Sequence, residues 1–228
     1  MKHSAWGIAL SCVLVAGCGG GSSDNNTAPA KPVVVPAAPA FADCYERTPG
    51  VKFTTTDKYT HMIVQEMFEG AMAYADVYLR ENGTRLGAVY NAFDGKVFTP
   101  LGLIQYNEAG VYEDKYVYSK EAAMVLNKVP GQAIVLHFTE TITRANSLTT
   151  EVKAVNDELT FAGFETITVA GRIFANTCKI TGASDVQGQL AVGWMAKGFG
   201  WIRTEEQGAT GTLVAGTRNE IVAIITAP

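Results

Sequence analysis

The chain has 228 residues, of which 47% are hydrophobic and 18% charged, and its formal net charge is −4. This composition is that of a globular protein and is too apolar for a disordered one. A mildly acidic chain without a Lys/Arg cluster is not built to neutralise phosphates, so nucleic acid is not an expected partner.

The first 17 residues have the three parts of a secretion signal. Residues 1–3 are a basic start, residues 5–15 form an apolar run, and residues 16 and 17 are small. The run is shorter than the about 20 residues that a membrane-spanning helix needs, and it is typical of the hydrophobic region of a signal peptide. The sequence therefore predicts a signal peptide over residues 1–17.

The residues around Cys18 resemble the lipobox of bacterial lipoproteins, here Leu14-Val15-Ala16-Gly17-Cys18. In that family cleavage precedes the cysteine, its sulfur carries a diacylglycerol, and the new N-terminus usually gains a further acyl chain. The resemblance implies stable membrane anchoring through Cys18, because two or three chains hold where one is marginal. By resemblance to the sorting rule of enteric bacteria, Gly19 after the cysteine, in place of Asp, implies sorting to the outer membrane. The alternative is an ordinary secretion signal with a chance cysteine.

Residues 18–40 are predicted to be a flexible tether. Residues 19–26 are Gly, Ser, Asp and Asn, and four of the eight prolines fall between residues 29 and 39. The first stretch is typical of a solvated spacer. Proline at this density favours extended polyproline II over helix or sheet. The remaining residues, 41–228, are predicted to form a single antiparallel β domain.

The domain reads as strands separated by turns. Asn82-Gly83 and Asp94-Gly95 are strong hairpin signals, residues 132–144 alternate, and residues 166–169, 172–180 and 220–226 are rich in β-branched residues. Turns recur about every 8–12 residues, which favours an antiparallel meander over βαβ units. We predict a mainly β fold: a curved antiparallel meander sheet, forming a half-barrel, a barrel or a sandwich, with little helix.

Residues 61–80 allow two interpretations. Several apolar residues keep a helical spacing, but Gly70 in the middle would cost a helix about 1 kcal/mol relative to alanine. The segment also divides into two alternating strands hinged at Glu69-Gly70, and we favour the strands. A short helical turn is expected within residues 119–126.

Two cysteines remain in the mature domain once Cys12 is removed and Cys18 carries lipid. Cys44 and Cys178 would lie in a compartment where disulfides persist. A bond between them would close a loop of over a hundred residues and stabilise the fold by up to about 4–5 kcal/mol in the chain-entropy model. The sequence favours this disulfide and leaves two buried free thiols as the alternative.

Two late segments carry a second resemblance: GFETITVAGRIFANTCKI over residues 163–180, and WMAKGFGWIR over residues 194–203. Together they resemble a hairpin and a following strand in uncharacterised envelope lipoproteins and secreted β proteins of bacteria. The resemblance implies a curved antiparallel sheet and no activity. The chain departs from the pattern at Ala170, where a proline–alanine pair is common, so the tight turn at Ala170-Gly171 is expected to differ in shape.

Trp194, Phe199 and Trp201 of the second segment are a candidate ligand or partner surface. Gly198 and Gly200 flank Phe199 and predict a bulge or sharp bend. In a regular strand Trp194 and Trp201 would lie on opposite faces, whereas a bulge would bring them to one face, where they could line an apolar ligand site. The alternative is that both fill the core.

Four tyrosines form an aromatic-rich stretch that is a candidate partner or ligand surface. They are Tyr106, Tyr112, Tyr116 and Tyr118. Amphipathic tyrosines are common at binding surfaces, and the alternative for them is cross-strand pairing within a sheet.

No sequence motif carries enzyme chemistry. The mature chain has two histidines, His61 and His137, both in predicted strands, and it lacks a Gly-x-Ser-x-Gly elbow, a P-loop, a dinucleotide fingerprint and closely spaced His/Cys ligands. The adjacent acids Glu205-Glu206 and Glu113-Asp114 are typical of a solvated face. We expect no cofactor and no metal.

The sequence as a whole predicts an outer-membrane-anchored lipoprotein that is not an enzyme. Its β domain is expected to bind an apolar ligand or an envelope protein. The alternative is a structural or assembly component of the envelope that uses sheet edges and the tyrosines without binding a small molecule. A glycan or peptide hydrolase is the more distant alternative.

Overall fold

The structure is a computed structural model that describes residues 38–147 and 149–228. The predicted signal peptide, Cys18 and nearly all of the predicted tether lie outside the described residues. Ala38–Pro228 forms one compact unit with its own core. In the part of the chain that the structure describes, no helix is long and apolar enough to cross a membrane.

Nearly all regular structure in the described ranges is β-strand, which confirms the mainly β fold. A 3₁₀ helix at Phe41–Tyr45 comes first, and another follows at Lys120–Ala122. The strands are β1 Lys52–Thr55, β2 Thr60–Phe68, β3 Ala71–Leu79, β4 Arg85–Phe93, β5 Val97–Tyr106, β6 Tyr112–Tyr118, β7 Met124–Val125, β8 Gln132–Arg144, β9 Thr150–Val169, β10 Arg172–Ala183, β11 Gln189–Ala196, β12 Gly200–Gly208 and β13 Asn219–Thr226.

Twelve of these strands close into an antiparallel barrel, one of the forms that the sequence left open. Around the ring the order is β4-β3-β2-β1-β13-β12-β11-β10-β9-β8-β6-β5, and β5 returns to β4, while β7 pairs with the beginning of β5. Each ring strand therefore has a described partner on both sides. Closure removes free edges, so the expectation that a structural role would use sheet edges loses its basis.

Residues 61–80 are two strands rather than a helix. In β2 and β3 the register runs from Thr60 opposite Leu79 to Phe68 opposite Ala71. The connecting residues Glu69 and Gly70 both have positive φ, 49° and 79°, which is the two-residue turn that suits twisted hairpins. The expected helical turn within residues 119–126 is the second 3₁₀ helix.

The hairpin β9–β10 also has a two-residue turn, formed by Ala170 and Gly171. Ala170 has φ 50° and Gly171 has φ 72°. Glycine adopts this left-handed conformation freely, whereas in alanine it costs roughly 1–2 kcal/mol. The turn is therefore held by the long strands on either side of it.

The two ends of the barrel differ, because alternate turns of an antiparallel ring gather at opposite ends. At one end the N-terminal 3₁₀ helix packs inside the barrel, where Phe41 and Tyr45 join a buried cluster with Phe98, Phe161 and Met195. We call this the closed end. The turns β1–β2, β3–β4 and β5–β6 lie at the other end, which we call the open end.

Candidate ligand site inside the barrel

The N-terminal 3₁₀ helix is fixed inside the barrel by a disulfide. Cys44 and Cys178 are bonded, with an S–S distance of 2.07 Å, and both are buried. The bond joins the helix to the middle of β10, as the cysteine count predicted. It makes this helix a floor for the space above it.

An internal cavity of 280 Å³ lies above this floor. Its walls include residues of β3, β4 and β5 on one side of the ring and residues of β8, β9, β11 and β12 on the other. Because the two groups of strands face each other across the barrel, the cavity lies in its interior. Its volume is close to the lower limit of the roughly 300–1,000 Å³ typical of small-molecule sites.

Three further spaces adjoin this cavity toward the open end. They measure 210, 200 and 590 Å³, and each shares Trp201 or Tyr78 with the cavity as a wall. The largest is bordered by Arg80, Tyr106 and Glu108, at the turns β3–β4 and β5–β6. We call the four spaces together the lumen, and these three bordering residues its mouth.

Three ionisable side chains lie at the base of the lumen, and we call Arg47, His61 and Asp76 the polar cluster. Their side chains are mostly buried: His61 is 10% exposed and Asp76 is 15% exposed. The Nδ1 atom of His61 lies 3.5 Å from Oδ1 of Asp76 without forming a hydrogen bond. Neither ring nitrogen of His61 has a hydrogen-bond partner within the described residues. The same is true of the Oδ1 atom of Asp76.

Arg47 reaches the cavity from the segment that follows the N-terminal 3₁₀ helix. Its hydrogen bonds to described residues both leave from Nη1, which donates to the carbonyl oxygens of Cys44 at 3.2 Å and Glu46 at 3.3 Å. The guanidinium carbon lies 5.9 Å from the centre of the Phe98 ring. Arg47 thus retains donors on Nε and Nη2 beside the cavity that it lines.

Strand register brings the other two members of the cluster together. His61 lies opposite Tyr78 and Ile63 lies opposite Asp76, so both polar residues come from the same face of the β2–β3 hairpin. The His61 ring stacks on Phe53 at 4.8 Å and lies 4.4 Å from the Tyr78 ring. These aromatic contacts hold the imidazole in place without satisfying its nitrogens.

Burial determines the ionisation of the groups around the cavity. It lowers the pKa of Arg47, an effect that the nearby Asp76 opposes, and a guanidinium remains charged at any physiological pH. Burial raises the pKa of Tyr45 and of Tyr78, and the charge of Asp76 raises the pKa of Tyr78 further. Both phenols are therefore neutral hydroxyl groups at neutral pH.

The two tryptophans do not form the predicted shared ligand surface. A register shift in the β11–β12 hairpin places Trp194 opposite Arg203 and Met195 opposite Trp201, so the tryptophans lie on opposite faces. Trp194 is buried, and its Nε1 donates to Glu165 Oε2 at 2.8 Å. The bulge is present, but it does not bring the rings to one face.

Trp201 alone lines the lumen. It borders the 280, 210 and 200 Å³ spaces, so its 40% exposed surface faces the barrel interior. Its ring occupies the place above Gly193, where any Cβ would overlap it. Phe199 is only 1% exposed and packs against Phe53 and Phe174, which corrects its assignment to a ligand or partner surface.

The four predicted tyrosines are half-buried and make separate contacts. Tyr112 donates to the carbonyl of Thr143 at 2.9 Å, and the Tyr118 ring lies 4.9 Å from Phe138. The Tyr116 hydroxyl lies 3.4 Å from Asp114 Oδ2. Only Tyr106 borders the lumen, at its mouth. The others fit cross-strand pairing better than a common surface.

The acid pair Glu205-Glu206 is not a solvated face. Glu205 is buried and accepts hydrogen bonds from Arg218 and Gln207, each at 2.8 Å. Glu206 borders the lumen, and its Oε2 atom is buried with no partner in the described ranges. Asn219 Oδ1, beside the 200 Å³ space, is likewise buried and without a partner there.

Of the tryptophan pair predicted from the sequence, only Trp201 lines the lumen, and no pattern in the sequence predicted the polar cluster. Asp76 could have been noticed, since it is a charged residue between apolar neighbours in an alternating strand. No local signal marks Arg47, whose burial depends on the disulfide-bonded helix beside it. Within the described residues, no group of three or more His, Cys, Asp or Glu side chains is placed to hold a metal ion.

Comparisons with known proteins assign no family. No family model matches the chain, and no curated protein does. A Bacteroides fragilis structure, described as an exported protein with a YmcC-like fold, is 11% identical, with a TM-score of 0.42 over 79% of this chain and 98% of that one. A Parabacteroides distasonis structure, described as a lipoprotein, is 12% identical, with a TM-score of 0.34 over 78% and 96% of the two chains.

Proposed function

We propose that this chain is an outer-membrane-anchored lipoprotein whose barrel binds a small amphipathic molecule in its lumen. The lipobox resemblance at Leu14–Cys18, the small residue Gly19 and the predicted tether support the anchor. The Cys44–Cys178 disulfide supports a location outside the cytoplasm, because such bonds persist in oxidising compartments.

The observation that carries the binding function is the set of unpartnered polar atoms facing an internal cavity. Native proteins pair nearly all their buried polar groups, and a buried donor or acceptor without a partner costs about 1–3 kcal/mol. His61 has such atoms beside the 200 Å³ space of the lumen, and Asp76 has one beside the 280 Å³ cavity. A ligand that supplies the missing hydrogen bonds would explain why they are there.

The rest of the cavity wall is apolar, which defines the other part of the ligand. Residues from both sides of the ring contribute: Val89, Ile134, Leu136, Leu159, Met195 and Trp201. An apolar body is favoured there at roughly 25 cal/mol per Å² of surface removed from water. The ligand is therefore amphipathic, rather than wholly apolar as the sequence suggested.

Mass spectrometry of the full mature chain, extracted from its own envelope, tests both parts of the proposal. We expect a covalent mass increase from acyl chains at Cys18, absent from a Cys18→Ser form. Under native conditions we also expect a small molecule to remain bound. A Leu136→Trp variant, which fills part of the cavity, should lose this molecule.

The matched control is Val135→Trp, which adds the same bulk to the neighbouring residue on the outer face of β8. Val135 is 50% exposed, so this variant should keep the bound molecule. A chain that retains only an envelope protein would favour the assembly role and contradict ligand binding. An unmodified Cys18 in the mature chain would contradict the anchor.

A further inference from the structure

We infer that the lumen selects a ligand whose polar head is neutral and both donates and accepts hydrogen bonds, such as a hydroxyl or an amide. This inference rests on the proposed ligand-binding function and adds the chemical class of the ligand. It follows from the way the polar cluster is charged: one cation and one anion line the same small cavity without a direct ion pair between them among the described residues.

Arg47 and Asp76 both line the 280 Å³ cavity. The ion-pair contact of Asp76 among the described residues is with His61, at 3.5 Å, rather than with Arg47. The hydrogen bonds of Arg47 go to backbone carbonyls on the floor side. Nε and Nη2 of Arg47 therefore remain as donors without a hydrogen bond to described residues, and Oδ1 of Asp76 remains as an acceptor without one.

A charged head group can satisfy only one of these two residues. An anion would pair with Arg47 but would be repelled by Asp76, and a cation would have the reverse problem. In a buried site both effects are strong, because charges there are poorly screened. A hydroxyl or primary amide accepts a hydrogen bond from Arg47 and donates one to Asp76, and it adds no net charge to a site that already holds one charge of each sign.

The neighbours of the cluster are neutral as well. Tyr45, Tyr78 and Asn91 line the same cavity, and burial keeps both phenols protonated. They can donate to or accept from a neutral head group without changing the local charge. The 40% exposed ring of Trp201 provides a flat apolar wall for the rest of the ligand.

The test uses residues 38–228, which form a compact unit of their own, secreted so that the disulfide forms. Three probes share an eight-carbon chain and differ in the head: 1-octanoylglycerol, octanoate and octylamine. Binding is measured by calorimetry at pH 7. We expect 1-octanoylglycerol to bind about tenfold or more tightly than either charged probe.

Removing one charge of the cluster should change this preference in a defined direction. Asp76→Asn leaves Arg47 as the uncompensated charge, so octanoate should bind about tenfold more tightly than to the wild type and octylamine more weakly. Arg47→Gln should produce the opposite change. Each variant is thus expected to gain one probe, and a gain cannot result from misfolding.

Glu158→Gln is the matched control. It changes the net charge by the same amount as Asp76→Asn, but on the outer face of the barrel, where Glu158 is exposed opposite Val135, and the ranking of the three probes should not change. Equal binding of all three probes would overturn the head-group inference while leaving ligand binding intact. Preference of the wild type for a charged probe would also overturn it. Failure of all three to bind would count against both proposals.

Discussion

His61 carries a structural cost in the unliganded barrel. Its two ring nitrogens are buried without partners among the described residues, while its ring is held between Phe53 and Tyr78. Phenylalanine would keep these aromatic contacts and remove the unpaired nitrogens. We therefore expect His61→Phe to raise the free energy of unfolding by about 1 kcal/mol, measured by urea denaturation in the absence of ligand.

The other mature histidine provides the control for this prediction. His137 is exposed on β8, and its Nδ1 lies 2.8 Å from Asn156 Oδ1. His137→Phe should change stability by less than about 0.5 kcal/mol, as is usual for surface positions. A loss of stability in His61→Phe would mean that the imidazole is already satisfied, and the argument for a missing ligand partner would fail.

At the level of single residues, the sequence indicated which side chains are notable better than it indicated which of them are buried in the barrel interior. It identified Cys44, Cys178 and Trp201 as residues of interest, and the structure places all three around the interior. It could not identify Arg47, because the burial of this residue depends on a short 3₁₀ helix that only tertiary contacts hold inside the barrel. Propensity and periodicity carry no information about such contacts.

At the level of elements, local signals predicted strands and turns well but not the pairing between strands. The hairpin β2–β3 followed from alternation and from Gly70. The relation of Trp194 to Trp201 did not, because it depends on the register of β11 against β12 and on a shift within that register. Register is set by turn geometry and packing on both faces, which spacing along one strand does not describe.

The N-terminal 3₁₀ helix depends on its disulfide more than a regular element would. It has five residues, and the bond closes a loop with a sequence separation of 134. We expect the double variant Cys44→Ala/Cys178→Ala to lose up to about 4–5 kcal/mol of unfolding free energy, because its unfolded state regains the entropy that the loop removes. Urea denaturation of the oxidised wild type and the variant measures the difference.

Reduction of the wild type under denaturing conditions, followed by refolding with reductant, should give the same loss. The double variant itself should not respond to reductant, which separates the effect of the bond from other effects of the reagent. If the variant were as stable as the oxidised wild type, packing of Phe41 and Tyr45 alone would hold the floor of the lumen, and the disulfide would contribute little.

At the level of the whole molecule, closure of the barrel could not be predicted from the sequence. A half-barrel, a barrel and a sandwich share the same alternation and turns. What distinguishes the barrel is the pairing of strands far apart in the chain, such as β1 with β13 and β6 with β8 across the inserted β7. Such pairings depend on the accumulated twist and stagger of all the strands.

The closed ring and its filled end imply a single direction of ligand entry. The N-terminal 3₁₀ helix fills one end, and the mouth at Arg80, Tyr106 and Glu108 lies at the other. We expect a bulky group at the mouth to slow ligand association strongly. A Glu108→Cys variant, labelled with biotin-maleimide and bound to streptavidin, provides such a group, and stopped-flow tryptophan fluorescence with 1-octanoylglycerol measures the rate.

Val129→Cys places the same complex at the closed end, where Val129 is 55% exposed, and should leave the rate unchanged. Slowing by the label at residue 129 but not at residue 108 would mean that the ligand enters beside the N-terminal 3₁₀ helix.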